Sequence, residues 1–385
     1  MSVTGGTERQ RFLVISNGHG EDWIAAALVA RLKVWAIVEA YPMIGSGTAY
    51  AGLCPIVGPR GRLESGGART AKGSLRRDLR KGGLAIIPPI LQFLRSVRGK
   101  YDRIIVVGDM VVPTLAWLTG LRDLIYIDCY KTGAARLYSK SERFIAKRVC
   151  RTVFCRAENL AALLRADGVD AHAPGNLMMD TIPVGDYDAA ARRQKASAVT
   201  LLPGSRGKTA DNFARQVAAL QKLPDDVIPD VFVAVAGDIS VDDLAEKTGL
   251  RRATILGPDG DDLGQLRNDR LVINLLRGKA MGNALAQSDI VLSQAGTATV
   301  QALGLGRPVI HMTSPKDRRS RFLDEQALFG DARIAVPAEP GAVAEVLQRL
   351  LTNNEERDRL GAIGRARIGG PGAIEAVIEA LRPPA

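Results

Sequence analysis

Along the chain, short apolar runs rich in Val, Ile and Leu alternate with stretches whose apolar residues recur at helical spacing. "RFLVIS" (11–16) predicts a strand, and the stretch from Asp22 to about Lys33 a helix. "RIIVVGD" (103–109) predicts a second strand, with a helix near 112–120 behind it; "LIYID" (124–128) and "TVFC" (152–155) continue the series. The polar stretch "VGDYDAAARRQKAS" (184–197) has no clear period and interrupts it. The pattern then restarts with "AVTLLPG" (198–204), "DVFVAVAG" (230–237), "ATILGP" (253–258), "LVINLL" (271–276), "DIVLSQ" (289–294) and "PVIHM" (308–312). Strands alternating with helices predict an α/β chain of parallel sheets covered by helices on both faces. The restart predicts two such domains, 1–183 and 184–365, with 366–385 a C-terminal helix that can pack back on the first.

Length agrees with this division, because 385 residues exceed one ordinary core. A hydrophobic fraction of 46% against 24% charged residues excludes a disordered chain. No apolar run reaches the roughly 18 residues a spanning helix needs. The nearest, 104–121, is broken by Asp109 and Pro113. The four cysteines (Cys54, Cys129, Cys150, Cys155) show no CxxC spacing and read as reduced thiols. The start, "MSVTGGTERQRFLVIS", passes from a polar tail into a strand, so no secretory signal is visible and a cytoplasmic location is expected.

Charge adds a direction. The net charge of +11 favours an anionic partner. Between Arg60 and Lys100 stand eleven basic residues against Glu64 and Asp78, a local +9. Within it, "GSLRRDLRKGGLAIIPPILQFLRSVRGK" (73–100) sets Arg76, Arg77, Arg80 and Lys81 beside Leu84, Ile86, Ile87, Ile90, Leu91, Phe93 and Leu94. That mixture predicts an interfacial element at the inner, anionic face of the membrane. The plainer reading is a crossover helix packed on its own sheet. With 5% aromatic residues the chain has few platforms for stacking bases, so nucleic acid is a poor partner. Nothing in the sequence fixes an oligomeric state.

In open parallel sheets ligands bind beyond the carboxyl ends of the strands, so the strand-to-helix turns are the places to seek chemistry. In "LLPGSRGK" (201–208), Ser205 can cap the next helix and Arg206 is a fixed cation beside its N-terminus, an arrangement suited to an anion. In "LSQAGTATVQALGLGRPVI" (292–310), Gly296 permits close backbone approach and Thr297 and Thr299 offer hydroxyls at a helix start. Each could also be an ordinary capped turn. In "SNGHGED" (16–22), His19 sits at the tip of a glycine turn and is a general-base candidate. The two glycines lack the third of a dinucleotide fingerprint. Asp109, just past a buried strand, is the second base candidate, or else caps the following helix. "PDGDD" (258–262) is an acidic loop that could take a metal but reads as solvated, and His311 lies at the end of the last strand.

Together "LLPGSR", "PGNLMMD" (174–180) and "AGTATVQALGLGRPVI" resemble lipid-A-disaccharide synthase and its bacterial relatives. "SNGHGED", "VGPRGRLESGG" (57–67) and "DEQ" (324–326) look more like the subgroup of lipid-A-disaccharide-synthase-related proteins. The resemblance covers nearly the whole chain. It implies a GT-B fold of two facing Rossmann-like domains, with acceptor on the first and UDP-sugar on the second, and inverting transfer that needs no metal or other cofactor. It further implies that Ser205, Arg206, Gly296, Thr297 and Thr299 hold the donor diphosphate. "LRGKAMGNAL" (276–285), with Gly278, Met281, Gly282 and Asn283, would read the base, and Glu325 and Gln326 would meet the sugar and phosphates. Two positions depart from the synthase. Its acid after the "GTAT" turn is here Gln301, where ribose would be contacted, and its "DAPDF" reads "DMVVP" (109–113), keeping only Asp109. The expected partners are therefore a UDP-sugar, a lipid acceptor and an anionic membrane surface. A UDP-sugar 2-epimerase of the same fold ranks second, because the paired acids and the Thr-Glu-Arg-Pro-type segment of those enzymes are replaced by "GTATVQAL" and "TSPKDRRSR" (313–321). A non-catalytic binder of anionic lipid or nucleic acid is the remaining alternative.

Overall fold

A computed structural model describes residues 9–61, 85–204, 208–236, 239–253, 260–314 and 319–382, and of His19 the backbone alone. Ser205, Arg206, Arg76, Arg77, Arg80, Lys81 and the His19 side chain thus lie outside the described residues. The chain divides into two compact units, Met1–Thr181 with Pro371–Ala385, and Ile182–Gly370.

The first unit is built on six parallel strands: β1 (Arg11–Ser16), β2 (Ile37–Pro42), β3 (Arg103–Gly108), β4 (Leu124–Asp128), β5 (Cys150–Phe154) and β6 (Ala171–His172). Their order is β2-β1-β3-β4-β5-β6. The strands are buried on both faces, which is why they read as continuous apolar runs. Phe12, Val14, Ile105, Val107, Ile125 and Ile127 point to one side and pack on α1 (His19–Leu32). Leu13, Ile15, Ile104, Val106, Leu124 and Tyr126 point to the other. There they meet α2 (Ile87–Ser96), α3 (Val111–Thr119), α4 (Lys140–Val149) and α5 (Glu158–Arg165). A short helix, α6 (Leu177–Asp180), ends this part of the unit.

The second unit carries eight strands: β7 (Ala198–Leu202), β8 (Asp230–Ala234), β9 (Arg251–Ala253), β10 (Asp262–Arg267), β11 (Val272–Leu276), β12 (Ile290–Ser293), β13 (Val309–Thr313) and β14 (Arg333–Pro337). Their order is β14-β13-β12-β7-β8-β11-β10-β9. All neighbours are parallel except at one edge, where β10 runs antiparallel to both β11 and β9. Its helices are α7 (Thr209–Leu220), α8 (Val241–Thr248), α9 (Ala280–Gln287), α10 (Thr297–Gly304), α11 (Arg319–Phe329), α12 (Pro340–Thr352) and α13 (Asn354–Ile368). The chain then returns to the first unit as α14 (Ala373–Leu381), whose Ile374, Val377, Ile378 and Leu381 enter the core beside α1. The Asp180 carboxylate fastens this return, accepting from Gly372 N at 2.7 Å and Ile374 N at 3.1 Å.

Four strands have no counterpart among those expected from the sequence, and β9 shares only Ala253 with the expected 253–258, the rest of which lies outside the described residues. β2, "IVEAYP", carries Glu39 and Pro42, and β10, "DLGQLR", alternates in the manner of an edge strand with one drier face. β14 begins with a buried arginine and β6 is two residues long. Conversely, β8 stops at Ala234, short of the predicted 237, and α1 begins at His19 rather than Asp22.

Two glycines of α13 set the position of α10. A Cβ on Gly364 would stand 2.6 Å from Leu303 O, and one on Gly361 would strike Gly306 O. Both neighbours are backbone and cannot swing aside. Gly361→Ala and Gly364→Ala are each expected to destabilise the protein by about 1–3 kcal/mol. Gly341→Ala in α12, where an added Cβ meets nothing within 4 Å, is expected to be neutral or to stabilise by up to about 1 kcal/mol. Urea melts of the three variants decide this.

Candidate functional site

In the second unit the strands that lead into the two candidate anion turns are neighbours, because β7 and β12 pair. β7 ends at Leu202, and Pro203 and Gly204 follow it. Gly204 has φ +98°, and a Cβ there would press to 3.3 Å on Gln294 O in the turn after β12. Gln294 N in return donates to Leu202 O at 2.8 Å. Asn212 Nδ2 donates to Pro203 O at 3.0 Å and Thr209 Oγ1 to Gly204 O at 3.1 Å. Gly204 is thus held against the turn after β12, and Thr209 against Gly204.

The turn after β12 is itself fastened from within. Ser293 Oγ and Thr299 Oγ1 lie 2.6 Å apart, Thr299 Oγ1 donates to Ala295 O at 2.8 Å, and Ala295 N donates to Ser293 Oγ at 3.1 Å. His311 Nδ1 lies 2.9 Å from Ser293 O, and Gln294 Nε2 donates to Met312 O at 2.7 Å. Thr299 is 3% exposed and Gln301 3% exposed, so both face inward. Gly296, at the N-cap of α10 and without a side-chain cap, and Thr297 remain at the surface. This is the shape an anion needs: uncapped N–H groups at a helix start. A cation that the sequence reading passed over stands beside it. Arg321 Nη2 lies 3.9 Å from where a Cβ on Gly296 would be.

Arg321 is held from behind. Its Nε donates to Glu325 Oε1 at 2.7 Å, while Arg333 Nη1 takes Glu325 Oε2 at 2.8 Å. Arg333 is 2% exposed and sits between two rings, 5.0 Å from Phe322 and 5.1 Å from Phe329. Gln326 completes the cluster: its Nε2 reaches Gly330 O and Arg333 O, and its Oε1 accepts from Arg333. Glu325 and Gln326 therefore have polar atoms engaged inside the unit, and a sugar contact would have to compete with those bonds. Burial pushes the Glu325 carboxyl up, but Arg321 and Arg333 overcome this and hold it below its ordinary value.

The segment expected to read the base is likewise tied into the unit. Gly278 stands over the Asp261 carboxylate, which also accepts from Lys279 N at 2.8 Å. Gly282 gives room for Pro183, its N donating to Pro183 O at 3.0 Å. Asn283 clasps Gly185 through both amide atoms and reaches Tyr187 O, each at 2.9 Å. Met281 packs against the small cluster around Tyr187 and Phe232. Asp262 of the acidic loop is buried and paired with Arg192 at 3.0 Å. Among the described residues no group of three or more His, Cys, Asp or Glu could hold a metal ion.

In the first unit the carboxyl ends of β1, β3 and β4 bring together Asn17, Asp109 and Asp128. Asp109 Oδ1 accepts from Asn17 Nδ2 at 2.6 Å and from Val111 N at 2.9 Å. Asp109 thus does serve the start of α3, while its Oδ2 accepts no hydrogen bond from a described residue. Gly108, at φ +153°, makes this possible, because any Cβ there would run into the Asn17 amide. Asp128 is different: it is 1% exposed, its Oδ1 accepts from Tyr130 N and Lys131 N, and its Oδ2 accepts from the Tyr138 hydroxyl. Burial pushes its carboxyl up against those bonds. Neither Asn17 nor Asp128 was singled out in sequence: one directly follows a strand and the other ends one.

No protein-family model matches the chain. A stretch of 158 residues is 36% identical to the lipid-A-disaccharide synthase of Pseudomonas savastanoi pv. phaseolicola, covering 37% of this chain. The match spans 34% of that relative's length. Solved structures agree over nearly the whole chain. The UDP-GlcNAc 2-epimerase of Neisseria meningitidis bound to UDP-GlcNAc gives a TM-score of 0.56 at 12% identity, covering 96% of this chain and 99% of that one. The glycosyltransferase SnogD of Streptomyces nogalater gives 0.56 at 15%, and MurG of Acinetobacter baumannii 0.54 at 14%, each covering 97% of this chain and 99% of the other. Identities this low carry the fold alone: the chain has the α/β GT-B fold with two Rossmann-like sheets.

The arginine cluster is testable by pH. A depressed carboxylate contributes fully above the ordinary Glu range, and the contribution fades as pH falls through the depressed value. Glu325→Gln is expected to cost about 1–3 kcal/mol near neutral pH, since it leaves Arg333 buried without its counter-charge. In urea melts the difference from wild type should shrink as the solution is acidified below that range. A gap that stays constant with pH would mean the charge of Glu325 is immaterial.

Proposed function

We propose that the chain is an inverting, metal-independent glycosyltransferase that moves a sugar from a UDP-sugar to a lipid-like acceptor at a membrane surface. The observation that carries this is the pairing of β7 with β12, which brings Gly204, the last described residue before Ser205, against the turn that leads into the uncapped start of α10. Transfer requires a negative charge to be accepted as the bond between the anomeric carbon and the diphosphate oxygen breaks. Helix-start N–H groups and guanidinium groups supply that stabilisation without a metal. Arg206, Gly296 and Thr297 are assigned to the diphosphate. Thr299 shapes the turn through Ser293 rather than presenting its hydroxyl.

On the acceptor side a base removes the proton of a hydroxyl, whose oxygen then attacks the anomeric carbon opposite the leaving group. Asp109 offers Oδ2 for this while Asn17 and Val111 hold Oδ1. His19, the first residue of α1, is the other candidate. The names of the partial relative and of the UDP-GlcNAc-bound neighbour support a UDP-sugar donor and a glycolipid product. The basic segment with Arg76, Arg77, Arg80 and Lys81 supports an acceptor that resides in an anionic membrane. Because epimerases share the fold, epimerisation of the UDP-sugar is the second reading.

Calorimetric titration with UDP separates these ideas. Wild type is expected to bind, and Arg206→Ala to weaken binding by about ten- to a hundredfold, the worth of charge-assisted hydrogen bonds to phosphate. Asp109→Asn is expected to leave UDP affinity unchanged and to slow transfer by about 10²–10⁴-fold if it is the base; the same assay on His19→Ala decides between the two. A chelator should leave turnover unchanged. A folded protein that ignores UDP would sink the transferase reading, and conversion of a UDP-sugar without any acceptor would favour the epimerase.

A further inference from the structure

One face of the first unit is apolar where a surface helix ordinarily turns polar. α3 sends Val112, Pro113 and Ala116 into the core, yet its opposite side puts Trp117 and Leu118 into solvent at 41% and 57% exposure. Phe144 of α4, 48% exposed, meets Trp117 edge to face, with ring centroids 6.3 Å apart. Cations surround this pair. The Arg148 guanidinium lies 5.0 Å over the Phe144 ring. Arg98 rests against the end of α3, its Nη1 3.3 Å from where a Cβ on Gly120 would be. Lys140, Phe144, Lys147 and Arg148 follow one stripe of α4, at spacings of four, three and one, and all are exposed. None of Arg98, Lys140, Lys147 and Arg148 has a carboxylate partner among the described residues. Asp123 and Asp167, on the neighbouring loops, are already paired with Arg151 and Arg143.

We propose that this face docks the chain on an anionic lipid bilayer. Trp117, Leu118 and Phe144 enter the boundary between headgroups and acyl chains, and Arg98, Lys140, Lys147 and Arg148 meet lipid phosphates. The chemistry selects this occupant. A second copy would bring a like-charged patch against its own kind. A bilayer offers both an apolar layer for the rings and a plane of anions for cations on long stems. α2, which packs against α3, and Arg98 behind it belong to the stretch of sequence between Arg60 and Lys100 that carries the local excess of positive charge. The proposal deepens the lipid-acceptor reading and rests on it only for why a membrane would be visited.

The test is flotation of the full chain with vesicles of phosphatidylcholine alone and of phosphatidylcholine mixed with phosphatidylglycerol, at low and high salt. Wild type is expected to float with the anionic vesicles, weakly with the neutral ones, and less as salt rises. Two double variants probe the two halves of the surface, Trp117→Ser with Phe144→Ser and Arg98→Glu with Arg148→Glu. Each is expected to bind anionic vesicles at least about tenfold more weakly. Urea melts of the same samples report that the exposed substitutions leave the fold intact, and UDP calorimetry tests the transferase reading separately. If UDP is not bound by wild type, the transferase reading fails while the vesicle result still decides the surface. Variants that float like wild type, or a wild type that never floats, overturn the proposal. So does a wild-type dimer that Trp117→Ser with Phe144→Ser converts to a monomer, since the face would then be a self-contact.

Discussion

The contact on which the candidate donor site depends is the hydroxyl pair of Ser293 and Thr299. A buried parallel strand must hand its chain to a helix at the carboxyl edge of the sheet, and every N–H and C=O of that turn needs a partner. Here Ser293 and Thr299 bond to one another and to the turn backbone, and His311 and Gln294 tie the same turn to β13. Once those internal needs are met by side chains from below, the start of α10 is left with uncapped N–H groups facing outward. Gly296 keeps that surface bare. The Gly361 and Gly364 contacts hold the far end of α10, so the helix axis and its exposed start are fixed together.

The same logic explains which parts of the fold could be read from sequence. Strands buried on both faces, such as "LIYID" and "AVTLL", are short continuous apolar runs and stand out from the polar turns around them. β10 escapes because its partners run antiparallel and one face is half wet, so Asp262, Gln265 and Arg267 dilute the signal. β14 escapes because Arg333 opens it. A buried arginine is legible only when its partners are known, and Glu325, Phe322 and Phe329 all come from the preceding helix.

For the candidate site, sequence located the turns but not the direction of each side chain. Thr297 and Thr299 are two residues apart and chemically alike, yet one faces solvent and the other closes the turn from inside. Glu325 and Gln326 stand where donor contacts were expected, and the structure uses them to brace Arg333 and, through Glu325, Arg321. Gly282 and Asn283 similarly hold the 183–187 segment. What a polar residue does at such a place depends on which backbone groups lie within reach, and that is a property of packing between distant segments.

Asp109 and Asp128 show how the same limit bears on mechanism. Both carboxylates end adjacent buried strands, and from sequence either could remove a proton. Asp128 has both oxygens committed, to two backbone N–H groups and to the Tyr138 hydroxyl, and burial disfavours its charge. A group so enclosed orders the loop after β4, and at 1% exposure it is shut off from the surface. Asp109 keeps Oδ2 open because Asn17 crosses above Gly108 to take Oδ1. The glycine before the acid is therefore part of the acid's chemistry. With a side chain at 108 the Asn17 amide could not lie there, and Oδ1 would keep only its bond from Val111 N.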